Sequence, residues 1–109
     1  MSKKLKIKAI INGKRYNTQT ATYIASYGNN LGDNDFRYLR EALYKTPKGE
    51  YFLSGAGGAN TKYSISEGNT RWNGSRIDVL TPDQARAWLE EHQKLEALES
   101  EFGKDIIDA

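Results

Sequence analysis

The sequence predicts an α+β domain with an antiparallel sheet of about four or five strands, a short helix, and a long C-terminal helix packed on one face. Apolar and polar residues alternate in several short segments, which is the pattern of half-buried strands. An apolar stripe at helical spacing begins after Pro82. At 109 residues, without an internal repeat or a linker-like segment, the chain is expected to form a single domain over residues 1–109.

The composition excludes several classes of protein. The chain has no cysteine, which rules out disulfides and thiolate metal sites. The apolar segment near the N-terminus is short and is interrupted by Lys6 and Lys8, so we expect neither a secretion signal nor a membrane-spanning helix there. These observations favour a cytoplasmic protein with no membrane partner.

The net charge of +2 conceals an uneven distribution along the chain. Residues 1–82 carry 13 Lys/Arg and 6 Asp/Glu, a net charge of +7, whereas residues 83–109 carry 3 and 8, a net charge of −5. A basic body with an acidic end attracts nucleic acid. The alternative is a solvated acidic helix that simply lies beside a lysine-rich sheet.

The first quarter of the chain is predicted to form two strands and the short helix. Residues 4–11 alternate between Lys4, Lys6 or Lys8 and apolar side chains, and the turn dipeptide Asn12-Gly13 leads to a short return strand at 14–16. Asn17 or Thr18 is a suitable cap for a helix that extends to about residue 27, and Gly28 is a suitable stop.

The segment 35–58 predicts a β-hairpin around a four-residue loop at 46–49. In this register Leu43 lies opposite Phe52. One face of the hairpin then presents three residues that we expect in the core, Leu39, Leu43 and Phe52. The other face presents Tyr38, Arg40, Tyr44, Tyr51 and Leu53.

The second half of the chain predicts two strands and the long helix. Short strands are expected at 62–65 and 76–80. Thr81 begins a helix over about 82–102, with proline at its first position and Gln84 completing a capping box. The acidic residues that lie off its apolar stripe form a candidate binding face: Glu90, Glu91 and Glu99.

The tyrosine-rich face of the hairpin is the most interesting candidate surface. Aromatic side chains interleaved with arginine stack unpaired bases and hold phosphates in proteins that bind single-stranded nucleic acid. The candidate binding residues are Tyr38, Arg40, Tyr44, Lys48, Tyr51, Arg71 and Arg76. The alternative is that the tyrosines pack beneath the long helix with their hydroxyl groups at its rim.

No set of residues predicts catalysis, a metal site or a cofactor. The glycine cluster at 55–58 lacks the Gly-Lys-Ser/Thr of a phosphate loop, and forms either an anion-binding nest or a bulge or turn that needs positive φ. The calcium-loop pattern that begins at Asp33 fails at its later positions.

His92, without a second histidine, is expected to be a hydrogen-bonded or boundary residue. Glu41 and Glu50 are expected to be solvated strand carboxylates.

Five motifs spread over most of the chain form a specific pattern. They are Tyr-x-Thr-x-Thr-Ala at 16–21, Asp-Phe at 35–36, Leu-Tyr at 43–44, Phe-Leu-x-Gly-x-Gly-Gly at 52–58 and Leu-Thr-x-x-x-Ala-x-x-Trp at 80–88. This pattern resembles a family of small proteins that are encoded by bacterial phages, plasmids and integrative elements. In similar sequences a glutamate often stands where this chain has Ala56.

The resemblance implies a biological setting rather than a chemistry. Several proteins of this size and origin inhibit host defences, anti-CRISPR proteins among them. It therefore implies a non-enzymatic inhibitor, active in the cytoplasm of a bacterial host cell, that binds a defence protein or a ribonucleoprotein such as a CRISPR–Cas effector. One alternative is a nucleic-acid-binding accessory protein that uses the basic–aromatic sheet face. A weaker alternative is an enzyme that acts through the glycine cluster.

Overall fold

The computed structural model describes residues 5–32 and 34–109, so the expectations for Lys4 and Asp33 lie outside the described residues. The strands are β1 (Lys8–Ile11), β2 (Lys14–Asn17), β3 (Thr22–Gly28), β4 (Leu39–Lys45), β5 (Tyr51–Gly57), β6 (Ile65–Glu67), β7 (Thr70–Trp72) and β8 (Gly74–Leu80). The helices are α1 (Pro82–Glu91) and α2 (Leu95–Phe102), followed by a 3-10 turn at Gly103–Asp105. The α+β class and the antiparallel sheet are confirmed, since β3-β4-β5-β8 form a four-stranded antiparallel sheet beside the hairpins β1-β2 and β6-β7.

The four-stranded sheet is covered on both faces, which gives three layers. On one face, Leu43 and Tyr51 pack in one cluster with Leu89 of α1 and Leu98 of α2. On the other face, Phe52 packs beneath the β1–β2 hairpin through Tyr16. The strand β5 is buried over its whole length because it lies between two strands and between two layers.

The predicted β4–β5 hairpin is confirmed, but its register is wrong by one residue. The loop has five residues instead of four. It is closed by Thr46, whose N–H donates to the Glu50 carbonyl at 2.8 Å and whose hydroxyl accepts from the Glu50 N–H at 3.0 Å. Leu43 therefore lies opposite Leu53 instead of Phe52. Since side chains alternate across a strand, the shift exchanges the two faces of β5 relative to the prediction.

The predicted short helix from Asn17 or Thr18 to about residue 27 is wrong. Asn17 instead organises a turn, in which its side-chain oxygen accepts from the Gln19 N–H at 2.9 Å. The chain then forms β3, which pairs with β4 at the edge of the sheet. The β-branched and aromatic residues at the start of β3 suit a strand. Pairing with β4 also satisfies backbone groups that a helix would leave exposed at the sheet edge, so it overrides the helical spacing.

The predicted long helix at 82–102 is two shorter helices. Its start is confirmed, because Thr81 accepts from the Gln84 N–H at 3.1 Å and the Gln84 side chain accepts from the Thr81 N–H at 2.9 Å. The helix α1 then ends in a Schellman-type turn. In this turn Gln93 has a φ of 54°, and the Lys94 N–H donates to the Leu89 carbonyl at 2.9 Å.

The break between α1 and α2 keeps both helices on the sheet. A continuous helix from 82 to 102 would extend about 30 Å, whereas a seven-residue strand extends only about 23 Å. After the turn, Leu98 is buried and the Phe102 ring stacks on Tyr51 at a centroid distance of 5.7 Å. Leu95, predicted on the buried stripe, is instead 61% exposed.

The segment between β5 and β8 departs furthest from expectation. Of the predicted strand at 62–65 only Ile65 belongs to a strand, and it begins the exposed β6–β7 hairpin, for which Gly68 supplies a φ of 61°. The predicted strand at 76–80 is confirmed within β8. Across residues 5–32 and 34–109, no helix has the length and apolar character needed to cross a membrane.

Candidate functional site

The observed register divides the predicted tyrosine-rich binding face between the two sides of the sheet. Tyr44 stacks on Phe52 at 5.4 Å, on the side of the β1–β2 hairpin. Tyr51 lies on the helix side and donates to Glu101 at 2.8 Å, and its burial together with this carboxylate raises the pKa of Tyr51 to about 12. Tyr38 is 1% exposed. Tyr51 therefore packs beneath the helices, as the alternative interpretation predicted, whereas Tyr38 is buried outside the cluster that the helices cover.

The predicted cations lie in separate places. Lys48 is exposed in the β4–β5 loop, and Arg40 is half-buried in β4 with its guanidinium 5.7 Å from the centre of the Tyr38 ring. Arg71 is exposed in β7. Arg76 in β8 pairs with a neighbouring aspartate at 2.8 Å and donates to a loop carbonyl at 2.9 Å, so it fixes the loop. These residues do not form one continuous basic–aromatic surface.

The acidic residues that were predicted for one long helix are divided between α1 and α2. Glu90, Glu91 and Glu99 are exposed, and Glu96 is exposed as well. Among the described residues, none of these four carboxylates takes part in an ion pair. Glu101 differs, because it turns inward and pairs with a lysine of β4 at 3.1 Å. The two helices therefore present four uncompensated negative charges to solvent.

Glu41, predicted to be a solvated strand carboxylate, is instead 3% exposed. Its Oε1 accepts from the Trp88 indole N–H at 2.8 Å. Its Oε2 accepts from the Tyr63 hydroxyl at 2.5 Å and lies 2.8 Å from the Lys62 ammonium. We call these four residues the Glu41 cluster. It ties β4 to α1 and to the loop that precedes β6.

The strand pattern contains the signal that sequence reasoning missed. Glu41 lies midway between Leu39 and Leu43 in β4, so the period-two alternation places it on the same face as both leucines. That face was itself expected to be buried, and a buried carboxylate needs donors. The donors were not identifiable from the sequence, because Tyr63 and Trp88 are 22 and 47 residues away from Glu41.

The Glu41 cluster keeps its carboxylate ionised despite burial. Burial by itself raises the pKa of a carboxyl group, but the hydrogen bonds from Lys62, Trp88 and Tyr63 outweigh it and lower the pKa of Glu41 below its ordinary value. Burial and the same carboxylate raise the pKa of the Tyr63 hydroxyl. At neutral pH the phenol therefore stays a donor and Glu41 stays an acceptor.

The glycine cluster at 55–58 makes room for these contacts. Gly55 lies opposite Glu41 in the sheet, and a Cβ at Gly55 would lie 2.0 Å from the Tyr63 ring. None of these glycines has positive φ, so the predicted positive-φ turn is wrong. The N–H groups that an anion nest needs are used in the fold, since β5 is paired on both sides and the Gly58 N–H donates to the Tyr38 carbonyl at 3.0 Å.

An open cleft of about 420 Å³ lies beside the Glu41 cluster. Tyr27 and His92 line it with their rings stacked at 3.9 Å, and the His92 ring also meets the edge of Trp88 at 4.8 Å. Half-buried between these rings, His92 is the boundary residue that was predicted as the alternative to a metal ligand. Glu91 and Lys62 line the same cleft.

A smaller cleft, of about 280 Å³, lies between the loop before β4 and the strand β7. Two of its lining residues, Phe36 and Trp72, are 68% and 51% exposed. Arg71 also lines this cleft and donates to Ser64 at 2.7 Å. Exposed aromatic rings beside an arginine are the features expected of the sheet face. They occur here around Arg71, a predicted binding residue, but the rings are those of Phe36 and Trp72, which were not predicted.

The part of the chain that the structure describes contains no group of three or more His, Asp or Glu side chains arranged to hold a metal ion. Comparisons with protein families, curated proteins and solved structures found no match to the chain. The function must therefore be inferred from the surfaces described above.

Proposed function

We propose that the protein is a small non-enzymatic binding protein that inhibits a bacterial defence complex, such as a CRISPR–Cas effector, in the cytoplasm of the host cell. It occupies a nucleic-acid-binding site of that complex with the acidic face of α1 and α2. One observation carries the proposal: α1 and α2 display four exposed carboxylates that form no ion pair with any described residue. They are Glu90, Glu91, Glu96 and Glu99.

Phosphate mimicry suits this surface physically. Sites that bind nucleic acid carry clustered lysine and arginine, which neutralise phosphate groups. Carboxylates on two short helices present negative charge to such a cluster at close intervals. Both helices are held on the sheet by buried residues, among them Trp88, Leu89 and Leu98. The charges are therefore presented in a fixed arrangement, which reduces the ordering cost of binding.

A binding role without catalysis is supported by the state of the ionisable groups inside the protein. A general acid or base works best with a pKa near the working pH. Burial and neighbouring groups move the pKa values of Glu41 and Tyr63 in opposite directions, both away from neutrality. The motifs shared with small proteins of mobile elements favour a target among host defences.

The test begins with a pull-down of the tagged protein from bacteria that carry an active CRISPR–Cas system, with and without nuclease. We expect a stoichiometric nucleic-acid-binding partner that survives nuclease treatment and is displaced by added duplex DNA. A variant with glutamine at positions 90, 91, 96 and 99 should bind this partner at least about 4-fold more weakly, because each of four exposed ion pairs contributes roughly 0.2–1 kcal/mol. The control variant, Glu67→Gln with Asp108→Asn, neutralises exposed carboxylates elsewhere and should bind normally.

Two results would contradict the proposal. Partners that disappear with nuclease would show that the protein reaches them through nucleic acid. Equal affinity of the wild type and the four-glutamine variant for a nuclease-resistant partner would show that the acidic face is not the contact surface.

A second candidate function, a nucleic-acid-binding accessory protein, is favoured by the cleft that Phe36, Arg71 and Trp72 line. Exposed rings beside a cation suit the stacking of an unpaired base. In this case the purified protein should bind single-stranded DNA or RNA with steep salt dependence, and Trp72→Ala should weaken the binding. The inhibitor function predicts no affinity for free nucleic acid, so one titration at low salt separates the two functions.

A further inference from the structure

The Glu41 cluster has one donor that reaches it from solvent. Trp88 and Tyr63 are buried, whereas the Lys62 side chain is 52% exposed although its ammonium lies 2.8 Å from Glu41 Oε2. Lys62 approaches the carboxylate at the cleft of about 420 Å³. Lys62 is the one donor of the cluster that solvent reaches, so a second cation can compete for its place at Oε2 without opening the buried contacts of Trp88 and Tyr63. The carboxylate is therefore open to exchange of its outer cation.

The cleft also has the lining that a planar cation requires. Tyr27 supplies an aromatic ring, one face of which is stacked on His92, and cations are attracted to the faces of such rings. Glu91 adds a second carboxylate that has no ion pair among the described residues. The remaining cation of the lining, Arg37, is held by Asp35 through two guanidinium nitrogens at 3.2 Å, so its charge is largely compensated.

We propose that this cleft receives an arginine side chain of the protein partner, whose guanidinium displaces the Lys62 ammonium and binds Glu41. The inference rests on the proposed function, since a nucleic-acid-binding partner presents arginines to the acidic face, and Glu91 belongs to both that face and the cleft. Arginine suits the site better than lysine does, because its planar guanidinium can donate to Oε2 of Glu41 from one edge while it stacks on an aromatic ring.

The test uses the whole chain with Trp72→Phe, which leaves Trp88 as its single indole. The Trp88 indole N–H donates to the carboxylate that the ligand would bind, so its NMR resonance reports directly on the site. The probe is acetyl-arginine amide. We expect a saturable shift of the resonance, a weaker response to acetyl-lysine amide and no response to acetyl-glutamine amide.

Two variants separate the cleft from the general negative charge of the surface. Lys62→Met removes the competing ammonium and should tighten binding of the arginine probe about 5-fold, the effect of one partly exposed ion pair. Glu41→Gln should abolish the shift, whereas Glu67→Gln, at an exposed site outside both the cleft and the acidic face, should leave it unchanged. If Glu41→Gln does not fold, the Lys62→Met titration decides alone. Unchanged affinity in Lys62→Met, or an equal response to the glutamine probe, would overturn the proposal.

The probe titration requires no partner, so its failure is distinguishable from failure of the proposed function. One possible result is a nuclease-resistant partner that depends on the acidic face, together with a negative titration. This result would support the inhibitor function and contradict the arginine site. A positive titration without such a partner would retain the site as a cation receptor and remove the inhibitor.

Discussion

At the scale of single residues, Glu41 is the group on which the most structure depends. Its carboxylate satisfies two buried donors, the Trp88 indole and the Tyr63 hydroxyl. Glu41→Gln removes the charge and should lower the free energy of unfolding at pH 7 by about 2–4 kcal/mol, because the donors lose a charged acceptor. Urea denaturation measures this difference. Glu67→Gln, at an exposed site in β6, is the control and should change stability by less than about 0.5 kcal/mol.

The pH dependence of this difference follows from the sign of the pKa shift. The pKa of Glu41 is lower in the folded protein than in the unfolded chain, where it is about 4.3. The stabilisation is therefore complete above the unfolded pKa and is lost as the pH falls through the folded pKa. The gap between wild type and Glu41→Gln should shrink below about pH 4. A gap that persists undiminished at about pH 2 would show that it arises from packing rather than ionisation.

At the scale of elements, the sequence predicts those parts of the fold that have a local signal. The turn residues at 46–49 mark the hairpin of β4 and β5, and Thr81 with Gln84 marks the start of α1. The hairpin register has no comparable signal, because a loop of four or five residues fits the same residue types. One set of hydrogen bonds at Thr46 decides it. The error of one residue in the predicted register placed the tyrosines on one common face, whereas the folded protein divides them between two.

The two helix errors have a tertiary cause. Both the segment before Gly28 and the segment after Glu91 have apolar residues at helical spacing. The first becomes β3 because the edge of β4 needs a partner, and the second breaks because a longer helix would extend beyond the sheet. Neither requirement is visible in local spacing. The Glu41 cluster was missed for the same reason, since its donors come together only in the folded chain.

The break at Gln93 can be tested by the difference in stability between two variants, because two helices and one continuous helix predict opposite signs for this difference. Gln93 has a φ of 54°, which costs a residue with a side chain roughly 1–2 kcal/mol relative to glycine. Gln93→Gly and Gln93→Ala both remove the side-chain hydrogen bond to the Glu90 carbonyl. Comparing the two therefore isolates the backbone term. We expect the glycine variant to be more stable than the alanine variant by about 1 kcal/mol in thermal or urea unfolding.

A continuous helix would give the opposite order. In the interior of a helix glycine is about 1 kcal/mol less favourable than alanine. A less stable Gln93→Gly variant would therefore contradict the turn between α1 and α2. This result would also be incompatible with the packing of Phe102 on Tyr51, which depends on the turn.

At the scale of the whole molecule, the three layers separate the charges. The β1–β2 hairpin on one side carries exposed cations, including Lys8 and Arg15. The helices on the other side carry the four carboxylates of the acidic face, for which the described part of the chain provides no ion-pair partner. Two layers packed across a sheet lie about 20 Å apart, at roughly 10 Å for each layer contact. This exceeds the Debye length of about 10 Å at 0.1 M salt, so each side acts separately on a partner.

This separation predicts a chromatographic behaviour that the net charge of +2 alone does not. At neutral pH and low salt, the wild type should be retained on both cation-exchange and anion-exchange resin, each of which binds one side. The four-glutamine variant at 90, 91, 96 and 99 should lose retention on the anion exchanger and keep it on the cation exchanger. The double variant Lys8→Gln with Arg15→Gln should lose retention on the cation exchanger and keep it on the anion exchanger. Retention of the wild type on the cation exchanger only would mean that the carboxylates are compensated in solution, and phosphate mimicry by α1 and α2 would then lose its physical basis.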